Sequence, residues 1–255
     1  MNYDDRVVSV FNTISRCANV TACYNGRGDN CRAIIQYQIK EHAAATYADF
    51  RVPEPWVGQI DRARILFVSS NPSIGRDDHA CGSTSDEAIW DSHHYAFGGE
   101  GHPASILDGV YTVDGNGQRT KAVRYWSWAR RRAMELIPTA VPGTDYAMTE
   151  VVHCKSTGEI GVAEVSATCV ERHFSAVMSV AAAPVIIAVG AFAQRQIFGA
   201  PAPERPVEMD LGGRRRLVVG LTHPSGFGNG KTLAKRYAEE HLAQLRAWAQ
   251  RSALA

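Results

Sequence analysis

No stretch of this 255-residue chain stays apolar for the roughly 18 residues that a bilayer-spanning helix needs. A membrane-embedded role is therefore not expected. The opening residues, Met1 to Arg6, lack the basic-then-apolar pattern of a secretory signal, so a cytoplasmic location is expected. Net charge is nearly absent too, at +1. Such a chain has no global pull toward polyanions, and any such contact must come from local clusters. Clusters do occur: Arg124 with Arg130, Arg131 and Arg132, then Arg214 to Arg216, then Lys231, Lys235 and Arg236. Each reads either as a phosphate contact or as a solvated face. No internal repeat and no composition break divides the sequence, so one domain over residues 1–255 is expected. The six cysteines, in a reducing compartment, point to free thiols or a metal site rather than disulfides.

What is present is an alternation of apolar runs and helical periodicities. Val7, Val8, Val10, Phe11 and Ile14 have helical spacing, and residues 32–47 look helical again, so residues 1–60 form a helical N-terminal segment. Ile65–Ser69, Tyr146–Val152, Val185–Val189 and Leu217–Leu221 read as strands buried on both faces. Helices are expected over 121–137, 162–181, 191–198 and 231–249, with a linker at Pro201–Pro206 and a turn at Val113–Gly117. Strands alternating with helices predict an α/β protein, a three-layer α/β/α sandwich around a four-stranded parallel sheet. Residues 73–120, rich in Gly, Asp, Ser and His, read as an elaborated active-site loop.

Two of these strands end abruptly in polar, proline-containing corners. One runs Ser69-Ser70-Asn71-Pro72-Ser73, and the other His223-Pro224-Ser225-Gly226-Phe227-Gly228. In an open parallel sheet, corners at strand C-termini converge on one crevice. Together they bring an amide, an imidazole and several hydroxyls, a set able to place a water and stabilise an anion.

These corners resemble the two active-site motifs of the uracil-DNA glycosylase superfamily. Thr149–Lys155 and Glu164–Cys169 resemble its iron–sulfur (family 4-like) branch, and Val185–Ala193 matches the superfamily's strand–Gly–Ala segment. The resemblance covers about residues 60–75 and 145–245. It implies a monomeric DNA repair enzyme that flips uracil out of single- or double-stranded DNA and hydrolyses its N-glycosidic bond. On this reading Asn71 positions the water, because an amide cannot remove a proton as a carboxylate does. His223 donates to the departing base anion. Ser69, Ser70, Pro72 and Ser73 line the base, with Phe97 as the aromatic floor, chosen over Trp90 and Tyr95. Ser225 meets a flanking phosphate, Gly226-Phe227-Gly228 fills the gap in the duplex, and Lys231 contacts phosphate. No lysine occupies either corner, so no lyase step is expected.

The branch has an asparagine where this chain has Glu150. An ionised carboxylate accepts hydrogen bonds but donates none. Either Glu150 is kept protonated by burial, or another group faces the base, or the base is another deaminated one, or Glu150 pairs with an arginine. The resemblance also implies a 4Fe-4S cluster. Cys17, Cys23, Cys154 and Cys169 are its expected ligands, although the branch's N-terminal Cys-x-x-Cys spacing is absent. A zinc site joined by Cys31, His79 and Cys81 is an alternative, as are ordinary thiols. Two other functions stay open. One is a non-catalytic binder of uracil-containing or abasic DNA. The other is a nucleotide-binding protein, because Gly228–Thr232 looks like the end of a phosphate loop, although Ser225 stands where that pattern needs glycine.

Overall fold

The computed structural model describes residues 4–75, 78–114, 116–228 and 230–251. Met1–Tyr3, Gly115 of the expected turn and Asn229 of the phosphate-loop-like segment lie outside the described residues. The chain opens with α1 (Asp5–Ser15), α2 (Ala18–Tyr24) and α3 (Arg32–His42) before strand β1 (Ile65–Ser69). Then come α4 (Asp86–His94), β2 (Ile106–Leu107), β3 (Tyr111–Val113), β4 (Arg119–Ala122), α5 (Arg124–Leu136) and β5 (Tyr146–Glu150). The second half runs α6 (Val162–Cys169), α7 (Ser175–Val180), β6 (Val185–Val189), α8 (Gly190–Phe198), β7 (Val207–Leu211) and β8 (Arg214–Leu221). It closes with α9 (Leu233–Arg236) and α10 (Glu239–Ala249).

The main sheet has five strands in the order β5-β1-β6-β8-β7. The first four are mutually parallel and β7 runs antiparallel to β8. Period-two alternation sends Leu66, Val68, Ile186, Ala188 and Val218 to one face, against α1, α3, α6, α7 and α8. Ile65, Phe67, Val185, Ile187, Leu217 and Val219 go to the other, against α5 and α10. Both faces are thus covered by helices, and that is why these strands read as unbroken apolar runs. Each fully buried aliphatic or aromatic side chain here contributes about 1.5–3 kcal/mol. No helix among the described residues is long and apolar enough to cross a membrane.

The α/β sandwich is as expected, with four of its strands, and it carries two additions. The fifth strand, β7, has the alternation of an exposed edge: Val207, Met209 and Leu211 are half-buried while Glu208 and Asp210 are exposed. Gly212 and Gly213, at φ +63° and +76°, close it onto β8 as a two-residue hairpin. A Cβ on Gly212 would lie 2.3 Å from the Met178 carbonyl carbon, so glycine is required there. The second addition is a three-stranded antiparallel sheet, β2-β3-β4, built within residues 73–120 and running into the helix expected from 121. That helix accordingly begins at Arg124.

Two expected helices are interrupted. The one over 162–181 has a wide π turn at Val170–Phe174. The C-terminal helix breaks at Tyr237, whose hydroxyl is drawn inward to donate to the Gly220 carbonyl (2.9 Å) and accept from its amide (3.0 Å). The basic run 214–216 also resolves into unlike roles. Arg215 pairs with Glu208 across the hairpin. Arg216 is 0% exposed and donates to the carbonyls of Leu211 (3.0 Å), Met178 (2.6 Å), Ala181 (2.7 Å) and Ala183. It joins β8 to the end of α7 and the turn into β6, so it is a structural residue and not a phosphate contact. Burial pulls its pKa down to about 10, and the four carbonyl acceptors stand in for lost water.

Candidate functional site

The parallel strands deliver their C-termini to one edge of the sheet. Ser69 of β1 is in register with Glu150 of β5, and Val189 of β6 with Leu221 of β8. The Asn71 and His223 corners therefore follow β1 and β8 on the same edge, two strands apart. Gly190 sits between them at φ +86°, where a Cβ would touch the His223 Cβ at 3.4 Å. It is this backbone conformation, more than the space, that favours glycine there.

A residue that sequence reasoning passed over ties the two corners together. Tyr125, in the first turn of α5, stacks on the His223 ring at 5.7 Å and 18°, and its hydroxyl hydrogen-bonds the Ser69 hydroxyl. Nothing local marks Tyr125, since α5's buried stripe runs through Trp128, Ala129, Arg132, Ala133 and Leu136. Only the packing of α5 against the sheet edge places it.

The polar groups are oriented. The Asn71 amide nitrogen donates to Pro72 O (2.9 Å), Ser156 O (3.1 Å) and Ser156 Oγ (3.1 Å). That fixes the side chain and leaves Oδ1 with no partner among the described residues. Ser73 is exposed beside it, Pro72 is buried, and the Ser70 carbonyl accepts from Val152 N. His223 Nδ1 accepts from Ser225 N (3.2 Å), so the neutral ring carries its proton on Nε2. Burial lowers the His223 pKa, Glu159 opposes this, and Arg124 and Lys231 add to the lowering, which favours the neutral donor. Beyond it Phe227 is 100% exposed at the loop tip, with Ser225 and Gly228 also exposed. Lys231 donates to the Pro224 carbonyl (3.2 Å) from behind the loop. The helix it precedes, α9, has only four residues. Gly230-Lys231-Thr232 therefore does not open the long helix that a phosphate loop needs.

Beside this edge lies a cavity of about 400 Å³. Val57, Ile106 and Trp126 form apolar walls, and Glu54, Asp78 and Lys155 the polar side. Lys155 Nζ bridges Glu54 (2.9 Å) and Asp78 (3.1 Å), and it precedes Ser156, the anchor of Asn71. Burial alone would raise the Glu54 pKa, but Lys155 and His93 hold it far below the usual carboxylate range. Glu150 has the opposite fate. It is 6% exposed, its Oε2 has no hydrogen-bond partner, and no arginine pairs with it among the described residues. Burial first and the Glu54 charge second raise its pKa well above normal, with Lys155 opposing. Burial and the neighbouring carboxylate thus favour the neutral form of Glu150.

Phe97 is not brought to this edge. It packs against Tyr146 (6.0 Å), the first residue of β5, and against Gly143 and Gly58, at the opposite end of the strand. Trp90 stacks on His94 (4.2 Å) and Tyr95 on His102 (4.0 Å). The aromatic wall of the cavity is Trp126, in the first turn of α5 and within the helix expected over 121–137.

The cysteines converge with one exchange. Cys17, Cys31, Cys154 and Cys169 line a single small void of about 10 Å³, enclosed by Ile14, Val165, His153 and His173. Cys31 replaces the expected Cys23, which sits behind it and accepts from Cys31 N (3.3 Å). The α2–α3 turn, folded against α6, presents Cys31 and not Cys23. Cys31 and Cys154 share a hydrogen bond that raises the Cys154 pKa, with burial adding to it, and lowers that of Cys31. His79 lies in the acidic cavity and Cys81 beside Tyr47 and Arg16, so the alternative zinc set is dispersed. Among the described residues no three His, Cys, Asp or Glu side chains close on a single ion. No protein-family model matches the chain, and no curated protein matches it.

Proposed function

We propose that this protein is a monofunctional DNA glycosylase that hydrolyses the N-glycosidic bond of an extruded deaminated base, uracil first. The observation that carries this reading is the pairing of the two corners through Tyr125 on one sheet edge. Asn71 Oδ1 orients a water toward the anomeric carbon, and its amide is held by Ser156 and Pro72. The neutral His223 donates Nε2–H to the base oxygen as negative charge grows there, and such preorganised donors act most strongly away from bulk water. The base comes to the sheet edge between the two corners, next to the cavity walled by Trp126. As a neutral acid, Glu150 offers one donor and one acceptor, the pair an asparagine amide supplies, and this answers the departure at that position. Phe227, free of the core, fills the stack that the base leaves.

Cys17, Cys31, Cys154 and Cys169 hold a 4Fe-4S cluster in this proposal, and it acts as a structural tie between the N-terminal helices and the segment after β5. No step of the reaction runs through it. The deciding experiment is a single-turnover assay on oligonucleotides carrying uracil, hypoxanthine or xanthine, single- and double-stranded. Release of free base, leaving an intact strand with an abasic site, is expected. Tight binding without base release would identify a non-catalytic member, and neither binding nor release would end the proposal.

A further inference from the structure

We propose that the small antiparallel sheet is a second grip on nucleic acid, with Arg119 and Lys121 of β4 holding backbone phosphates beside the corner. The identity of the polymer rests on the glycosylase reading. The placement of the two cations does not.

Strand alternation separates the faces of β4. Thr120 is turned toward the cavity, where its hydroxyl meets that of Thr112, while Arg119 and Lys121 are exposed. β4 passes into α5 through Val123 alone, and Arg124 then donates to the Pro224 carbonyl (3.2 Å). Lys231 donates to the same carbonyl. Arg119, Lys121, Arg124 and Lys231 therefore form a row that leads from the insert to the loop bearing Phe227. Some surface arginines close on carboxylates, as Arg62 does on Glu100, Arg215 on Glu208 and Arg246 on Glu239. None of the four in the row does so among the described residues. The Arg119 guanidinium lies 3.5 Å over the Tyr111 ring, which orients its planar fork without using its N–H donors. An ordered fork with open donors beside an ammonium suits phosphodiester oxygens. It does not suit a neutral or apolar partner.

The test is anisotropy of a labelled duplex carrying a stable abasic analogue, titrated across about 50 to 200 mM salt. R119A/K121A is expected to bind more weakly at low salt and to lose about 2 from the slope of log affinity against log salt, about one per phosphate contact. R119K/K121R, which keeps both charges, should retain the wild-type slope. K40A, a lysine of α3 already beside Glu41, should also leave it unchanged. An R119A/K121A slope equal to wild type would overturn the grip. So would a wild-type protein with no salt-dependent DNA affinity. A lowered slope in a protein that releases no base would leave the grip standing and remove the glycosylase reading.

Discussion

Arg216 and Glu150 are buried ionisable side chains on one sheet, and the fold treats them in opposite ways. Arg216 directs its guanidinium at four backbone carbonyls. Glu150, at the C-terminal edge, keeps an oxygen with no partner and faces a second carboxylate, Glu54. A satisfied polar network holds structure together, while an unsatisfied buried group has a cost that needs another reason to persist.

The sharpest tests bear on the unsatisfied edge. His223→Ala should slow base release several hundredfold, about 3–4 kcal/mol of barrier. Asn71→Ala should slow it comparably, and both variants should melt near the wild-type temperature. Normal single-turnover rates in both would show that the edge is not where the chemistry happens. Arg216→Met should act the other way, sparing the site and weakening the fold. Stranding several buried carbonyls should lower the unfolding free energy by about 3 kcal/mol, read by urea titration. An unchanged midpoint would erase the contrast between the two side chains.

The cysteine set offers a narrower test. Protein purified anaerobically should contain iron and absorb in the visible, Cys31→Ser should lose both, and Cys23→Ser should keep them. Loss of iron on Cys23→Ser with none on Cys31→Ser would reverse the exchange described above. The effect expected at Glu150 depends on pH. Its pKa is raised in the folded protein, so its contribution to stability is fully present below the unfolded value near 4.5 and is lost as pH rises toward the folded value. Glu150→Gln removes that loss. The two proteins should match in acid, and the variant should gain at most about 1.4 kcal/mol per pH unit above it. Parallel stability curves would mean that Glu150 is ionised in the folded state.

Much of the sandwich was legible, because a strand covered on both faces must be apolar throughout and the four parallel strands carry that mark. β7 was not, because an edge strand of alternating half-buried and charged residues looks like surface, although Gly212-Gly213 signalled its hairpin. Asn71 and His223 could be named as a pair because each corner is local. Phe97 was misjudged because proximity in the chain to the first corner says nothing about which end of β5 a side chain reaches.

Local residue order determined the four parallel strands, the two polar corners and the presence of six thiols, since these follow from periodicity and turn chemistry over a few residues. Tertiary structure alone decided that Tyr125 bridges the corners, that Cys31 rather than Cys23 faces the void, and that the pKa of Glu150 is pushed up while that of Glu54 is pushed down. Those outcomes depend on contacts between segments tens of residues or more apart, where desolvation and neighbouring charge, and not the side chain's own chemistry, set its state.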